Sequence, residues 1–264
     1  MSNIAIDTAI ECIWDRYSEP LSLDEIARSA RLSRFYFTRL FRGVTGITPG
    51  RFLAAVRVYQ AKRLLETTAL SVADVSCAVG YASLGSFASC FTASVGLSPG
   101  RFRRLAQAGG PDAPGPRPGA RPGLGAVAGT VALPEGYAGA RVYVGAFATP
   151  VVQYPAAAAV VVDVAASRPS CYYLPNVPDG TWFVRAVGMA DSAAPERRGD
   201  LIPLVATLGP AVVGADSVTG GAMRLRRGRR ADPPVLLALP DLAPPATGAA
   251  GCPAITPRQL SARA

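Results

Sequence analysis

The chain contains one sequence pattern twice. Residues 22–52 and residues 71–102 both begin with a serine that is followed three positions later by a carboxylate, and both end on Gly-[Ile/Leu]-[Thr/Ser]-Pro-Gly-Arg-Phe. One inserted residue separates the two alignments. A repeat of about 50 residues that holds two short helices is typical of a tandem helix-turn-helix. The pattern therefore predicts an all-α first half built from two equivalent units.

The first unit contains the start signals of two helices. Ser22 and Glu25 have the spacing of a capping box, and Ser33 stands at the N-cap of a second helix over residues 34–42. One side of this second helix is apolar and carries Phe37, Leu40 and Phe41. The other side carries an aromatic residue, a threonine and three arginines: Arg34, Phe35, Thr38, Arg39 and Arg42.

This outer face is suited to the major groove of DNA. An arginine can bind guanine through two hydrogen bonds, and a threonine can bond a base or contact the methyl group of thymine. The alternative is a solvated helix face, which describes most amphipathic helices. The repeat favours DNA, because two reading helices on one protein can enter two successive major grooves.

A longer helix is predicted between the units. Thr48 caps it, Pro49 occupies its first position, and it extends to about Glu66. Its basic residues could contact DNA phosphates or simply water: Arg51, Arg57, Lys62 and Arg63.

The second unit differs from the first in its outward face. Ser71 and Asp74 repeat the capping pair, and Phe87 and Phe91 form the apolar side of a helix over residues 84–93. The outward face of that helix carries Leu84, Gly85, Ala88, Ser89 and Thr92. Because none of these residues is charged, the second helix is predicted to recognise DNA bases more weakly than the first.

Residues 5–104 resemble the DNA-binding domain of the AraC/XylS transcription regulators. The resemblance rests on the doubled unit and on RVYQAKRLL at residues 57–65. It implies a fold of seven helices, two of which read DNA. It also implies base contacts from Phe35, Thr38 and Arg39, with Arg34 nearby.

The chain departs from that family at two positions and in its domain order. Family members often carry Arg where this chain has Ser89, and Lys where it has Thr92. Both departures imply weaker base reading by the second unit. Many members place an effector domain first and the DNA-binding domain last, whereas here the helix-turn-helix repeat comes first.

The composition changes at residues 109–125, a Gly/Pro-rich stretch that predicts a linker after a helical domain at residues 1–108. Beyond it, residues 126–242 are predicted to form an antiparallel β-sandwich, similar to transthyretin-like or carboxypeptidase-regulatory-like modules. Short apolar runs separated by turn signals predict strands at residues 126–133, 141–147, 160–164, 171–174, 181–187 and 235–239. Residues 243–264 are Ala/Pro/Gly-rich and predict a disordered tail.

Two features of the second half have alternative interpretations. Four aromatic residues could line a ligand pocket, although core packing is favoured: Tyr172, Tyr173, Trp182 and Phe183. The basic run at residues 224–230 fits a phosphate contact and a solvated loop about equally.

Several kinds of chemistry are excluded by composition. The chain has no histidine, so His-based triads and His metal ligands are excluded. Its five cysteines never form a C-x-x-C pair and read as reduced packing residues. No phosphate-binding Gly-rich loop is present. We therefore predict no enzymatic activity, no cofactor and no metal.

The sequence predicts a cytoplasmic, sequence-specific transcription regulator that binds double-stranded DNA and no membrane. Its net charge of +9 is compatible with a polyanionic partner. The β region would sense a small-molecule effector, form a homodimer or contact RNA polymerase, and these alternatives stay open. A nonspecific DNA-associated structural protein is the alternative function. A DNA-repair enzyme fused to the same module is disfavoured, since such enzymes pair a reactive Cys with His.

Overall fold

The computed structural model describes residues 2–108, 124–166, 168–192, 201–239 and 242. Most of the predicted linker at residues 109–125, and all of the tail at residues 243–264, lie outside this part of the chain. The first half forms α1 (Ser2–Arg16), α2 (Leu23–Ser29), α3 (Arg34–Thr45), α4 (Pro49–Thr67), α5 (Val72–Ala78), α6 (Leu84–Val95) and α7 (Pro99–Ala108). No helix in the described residues has the length and apolar character needed to cross a membrane.

Both predicted capping boxes are present. The Ser22 amide donates to Glu25 Oε2 at 2.8 Å, and the Glu25 amide donates to Ser22 Oγ at 3.2 Å. The corresponding bonds between Ser71 and Asp74 are 3.2 and 3.1 Å long. Ser33 occupies the N-cap of α3, but its side chain makes no capping hydrogen bond.

The sequence repeat produces a repeat in the helical core. Ring centroids are 5.4 Å apart for Phe37 and Phe41, and 5.5 Å apart for Phe41 and Phe52. The second unit reproduces this chain of rings with spacings of 5.6 and 5.7 Å across Phe87, Phe91 and Phe102. All six rings are buried. The rings thus hold each outward-facing helix, α3 or α6, against the helix that follows it.

The described residues of the second half form eight strands in two sheets. The strands are β1 (Gly125–Ala132), β2 (Tyr137–Phe147), β3 (Ala158–Ala165), β4 (Ser170–Val177), β5 (Gly180–Ser192), β6 (Leu201–Val213), β7 (Val218–Arg224) and β8 (Arg226–Arg227). The sheet orders are β4-β1-β7 and β3-β2-β5-β6-β8. One apolar core is shared by residues of both sheets, including Val127, Val142 and Val184. Tyr172 belongs to this core, and its hydroxyl donates to Gly221 O at 3.1 Å.

The β half differs from the sequence prediction in three respects. The sequence prediction contained no strand at the positions of β6, β7 and β8. The β1 and β7 strands run parallel, so the region is not wholly antiparallel. Residues 235–239 are not a strand, because three of their amides bond to the loop after β2 and to the last residue of α6 instead of a neighbouring strand. The amides of Leu236 and Leu237 donate to Val152 O at 2.8 and 3.1 Å, and the Ala238 amide donates to Val95 O at 3.2 Å.

Two segments of the β half contact the helices directly. We call residues 148–157 the junction loop and residues 229–239 the strap. The Tyr154 amide of the junction loop donates to Ser94 O at 2.8 Å, and Trp14 Nε1 donates to Arg230 O of the strap at 3.0 Å. Apolar residues of both segments join the helical core: Val151, Leu236 and Ala238. A flexible linker alone would not fix the orientation of the β half relative to the helices. These direct contacts define that orientation.

Lys62 lies at this junction. Its Nζ donates to Leu237 O at 2.9 Å and to Val235 O at 3.5 Å, and it lies 5.6 Å from the Phe102 ring centroid. The residue is half-buried, but its ammonium group is enclosed by protein, and this burial lowers its pKa to about 8. Both sequence interpretations of Lys62, phosphate contact and free hydration, are therefore wrong.

The lowered pKa of Lys62 predicts that stability rises with pH above 8. In the unfolded chain a lysine keeps its proton to about pH 10.4. Between pH 8 and that value the unfolded state binds more protons, so the free energy of unfolding should rise by about 2–3 kcal/mol. The nearby Glu66 carboxylate opposes part of the shift. Urea denaturation at pH 7.5, 8.5 and 9.5 measures the rise.

Lys62→Met is the control, because it removes the titrating group and keeps the length of the side chain. The substitution also leaves the carbonyl groups of Val235 and Leu237 without the lysine, which changes the free energy of unfolding at every pH. The quantity to compare is therefore the slope of the free energy of unfolding against pH. Parallel pH profiles for the two proteins would show that Lys62 titrates at its ordinary pKa.

Candidate nucleic-acid interface

The α3 helix separates its side chains as its periodicity predicts. Phe37 and Phe41 have no exposed surface, whereas Phe35 is 91% exposed. The arginines predicted to face outward are all exposed: Arg34, Arg39 and Arg42. A single exposed phenylalanine is ordinary on a protein surface, but beside three arginines Phe35 gives this face an apolar contact as well as positive charge.

Local contacts restrict the side chains on this face. The Arg39 guanidinium carbon lies 5.6 Å from the centroid of the Tyr36 ring, a cation–π distance. Thr38 Oγ1 donates to Arg34 O at 2.8 Å, so its hydroxyl can still accept a bond and its methyl group can contact a base. Arg34 Nη1 is 3.8 Å from Asp24 Oδ2 in an exposed, weak ion pair.

Tyr36 belongs to the same exposed face, although the sequence interpretation did not name it. Its ring is 43% exposed and lies beneath Arg39. The signal was the i, i+3 spacing of the two residues, which places them side by side on a helix.

The α6 helix presents a neutral face. Leu84 is 48% exposed, Gly85 and Ser89 are exposed, and Ala88 is half-buried. A Cβ placed on Gly85 would meet no atom within 4 Å, so space beside this glycine is open. Thr92 is exposed, and its hydroxyl donates to Ala88 O at 2.7 Å. This face can offer hydroxyls and apolar contacts, but no charged donor.

The β half contacts the C-terminal ends of the two outward-facing helices and leaves their exposed faces open. Both helices end at a left-handed glycine, Gly46 with φ +79° and Gly96 with φ +88°. A Cβ on Gly46 would lie 3.1 Å from Pro150 Cγ, and one on Gly96 would lie 2.8 Å from Tyr154 Cδ2. Glycine at these positions therefore permits both the turn and the close approach of the junction loop.

Several other basic residues are engaged within the protein. Arg57 donates through Nε to Tyr17 O and through Nη2 to Glu19 O, both at 2.8 Å. This arginine thus serves the packing of α4 against the end of α1. The sequence left two roles open for Arg57, a phosphate contact and free hydration, and the structure shows neither.

The basic run at residues 224–230 is partly neutralised. Arg226 grips the Asp232 carboxylate with two hydrogen bonds of 2.7 and 2.6 Å. Arg230 Nη2 lies 3.3 Å from Asp15 Oδ1, which links the strap to α1. Arg227 and Arg229 remain exposed. The interface contributed by α3 is therefore the better supported of the two basic surfaces.

Comparison with known proteins places residues 26–105 in a family described as "Helix-turn-helix domain". The chain is 33% identical over 95 residues to the Msm operon regulatory protein of Streptococcus mutans, covering 36% of this chain and 34% of that protein. It is 30% identical over 102 residues to the bifunctional transcriptional activator/DNA repair enzyme AdaA of Bacillus subtilis, covering 39% and 48%. The chain thus spans a third to a half of these relatives.

A shorter relative is covered almost completely. The chain is 32% identical over 98 residues to the regulatory protein SoxS of Salmonella typhimurium, covering 37% of this chain and 92% of that protein. Among solved structures, the DNA-binding domain of AdpA in complex with a target DNA is 32% identical, with 39% of this chain and 93% of that chain covered and a TM-score of 0.38. From its helix-turn-helix match and its nearly complete coverage of a 32% identical relative, the chain belongs to the AraC/XylS family of transcription regulators.

Proposed function

We propose that the protein is a sequence-specific transcription regulator that inserts α3 into one major groove of DNA and α6 into the next. The observation that carries this proposal is the outward face of α3, where three arginines and a 91% exposed phenylalanine surround Thr38. Family membership supports the same reading. The protein acts without enzymatic chemistry, in the cytoplasm, and needs no cofactor.

The residues of the two helices divide into different roles. Arg39 and Thr38 contact base edges in the first groove, and Phe35 packs against a thymine methyl or a sugar. Arg34 and Arg42, at the two ends of the exposed face, contact phosphates or flanking bases. On α6, Leu84, Gly85, Ala88 and Ser89 approach the second groove with apolar and hydroxyl contacts only.

Selection of bound sequences from random DNA with the full-length protein tests this function. We expect one strongly preferred half-site and a weakly preferred one about one helical turn away, because α6 has no charged donor for bases. Equal information content in the two half-sites would contradict the assignment of α6. Failure to enrich any sequence would instead favour the alternative of a nonspecific DNA-associated structural protein, which the neutral α6 surface also fits.

Ser89→Arg is expected to strengthen the second half-site. Ser89 is exposed on α6, so an arginine there can reach the DNA without displacing core residues. One added phosphate or base contact should tighten binding by about 3- to 30-fold and steepen the dependence of log affinity on log salt by about 0.9. Fluorescence anisotropy at several salt concentrations measures both quantities.

The matched control is Val212→Arg, which adds the same charge at a 68% exposed position of β6 in the β half. An equal gain for the two variants would mean that bulk charge, and not a contact from α6, is responsible.

The β half is proposed to regulate the helical half, with residues 126–242 acting as a β-sandwich domain. Its direct contacts with Ser94, Val95 and Lys62 support a regulatory role, because they connect it to the end of α6 and to α4. Homodimer formation and contact with RNA polymerase are further roles for its outer surfaces. The DNA-repair alternative is disfavoured, although one relative is bifunctional, because the chain has no histidine to activate Cys171.

A further inference from the structure

The junction loop contacts the ends of both reading helices. Pro150 packs against Gly46 at the end of α3, and the Tyr154 ring packs over Gly96 at the end of α6. The Tyr154 amide also donates to Ser94 O at 2.8 Å. Because one loop of ten residues holds both ends, its position is linked to the separation of α3 and α6.

The same loop forms one wall of a cavity of about 240 Å³ in the β half. Its principal lining residues are Phe147, Gln153, Tyr154, Pro155, Pro178 and Trp182. The indole Nε1 of Trp182 donates to Pro178 O at 2.8 Å, so its hydrogen-bonding capacity is used and the ring face is left for packing. The Thr149 hydroxyl and the Gln153 amide add polar groups to the lining.

The cavity has the size and lining for a small neutral aromatic molecule. The cavity is about half open to solvent, and its volume of about 240 Å³ exceeds the roughly 150 Å³ that is enough for benzene, so a substituted ring or two fused rings can lie against its walls. None of the described residues that line the cavity is charged, so an ionic ligand would lose part of its hydration without gaining a charged partner among them. The amide of Gln153 can bond one polar group of the ligand.

We propose that this cavity is an effector site for a neutral aromatic ligand, which acts on the second reading helix through Tyr154. The inference rests on the proposed function. The cavity is formed when the junction loop packs against Gly46 and Gly96, which we call the seated state. A ligand that binds in the cavity therefore stabilises the seated state. The seated loop fixes the separation of α3 and α6, which favours simultaneous contact with two grooves.

The experiment uses the full-length protein and indole as the probe, with indole-3-carboxylate as its charged counterpart. Ligand-detected NMR and calorimetry measure binding without DNA. We expect saturable binding of indole and at least tenfold weaker binding of the carboxylate. Indole should tighten binding to the complete two-part DNA site by about 3- to 10-fold, and leave binding to the α3 half-site alone unchanged.

Pro178→Trp tests the location of the site, because Pro178 is an exposed residue of the cavity lining that lies outside the junction loop. This variant should lose indole binding and the indole effect on DNA, and keep its affinity for DNA without indole. Val218→Trp places the same side chain on an exposed position of β7 and should behave as the unmodified protein.

The outcomes separate the two proposals. Absence of saturable indole binding, or indole binding that Pro178→Trp retains, would overturn the effector site. Indole binding with no change in affinity for the two-part site would overturn the coupling through Tyr154. A protein that prefers no DNA sequence in the absence of indole would overturn the proposed function, whatever its affinity for indole.

Discussion

Replacement of Arg39 by alanine is expected to lower affinity for the preferred DNA sequence by about 10- to 100-fold. The guanidinium group lies on the exposed face of α3 and against the Tyr36 ring, which limits the rotamers that must be frozen on binding. A bidentate contact between arginine and guanine contributes about 1–3 kcal/mol of discrimination. Affinity for random DNA should fall less, because that binding depends on phosphate contacts.

Arg63→Ala is the matched control for this prediction. Arg63 is exposed on α4, so the substitution removes the same charge from a helix that presents no reading face. We expect it to change specific and nonspecific affinity by similar small factors. If Arg39→Ala weakened specific and random DNA equally, Arg39 would be a phosphate contact and not a base reader. Competition titrations with specific and random duplexes distinguish these results.

Replacement of Phe91 by alanine is expected to destabilise the helical half by about 3–5 kcal/mol. Phe91 has no exposed surface and packs between Phe87 and Phe102, with ring centroids 5.6 and 5.7 Å away. Loss of its ring removes buried apolar area and leaves a cavity that its two neighbours fill only in part. Urea denaturation followed by helical circular dichroism measures the loss.

Phe35→Ala provides a control of the same chemistry in the opposite environment. Phe35 is 91% exposed, so its removal should change the free energy of unfolding by no more than about 0.5 kcal/mol. Its affinity for the preferred DNA sequence should nevertheless fall if the ring contacts DNA. A large stability loss for Phe35→Ala, or a negligible one for Phe91→Ala, would contradict the assignment of the two faces.

Local sequence features were sufficient to predict the helices of the first half and the exposed face of α3. The capping boxes at Ser22 and Ser71 depend on residues three positions apart, and the two faces of α3 follow from the helical period. Such features operate within one or two turns of a helix. The doubled sequence also predicted the paired rings of the core, because equal spacing of Phe37 with Phe41 and of Phe87 with Phe91 places each pair on one buried face.

The sequence did not predict features that depend on distant contacts. Residues 235–239 have the composition of a strand, but their amides bond to Val152 and Val95, and this arrangement requires the completed fold. The parallel pairing of β1 with β7 likewise joins segments far apart in the chain. Local periodicity predicts neither feature. The backbone amides of a short apolar segment can form their hydrogen bonds with a neighbouring strand or with another part of the chain.

By itself, the sequence determined the two helix-turn-helix units, their caps and the unequal chemistry of their exposed faces, because each depends on neighbours a few residues away. Only the tertiary structure decided the role of Lys62, whose partners Val235 and Leu237 are 173 and 175 residues distant. The tertiary structure also decided where the junction loop lies, and so the cavity beside Tyr154. The physical reason is that burial and hydrogen bonding at this junction arise from packing two halves together, which no short stretch of either half specifies.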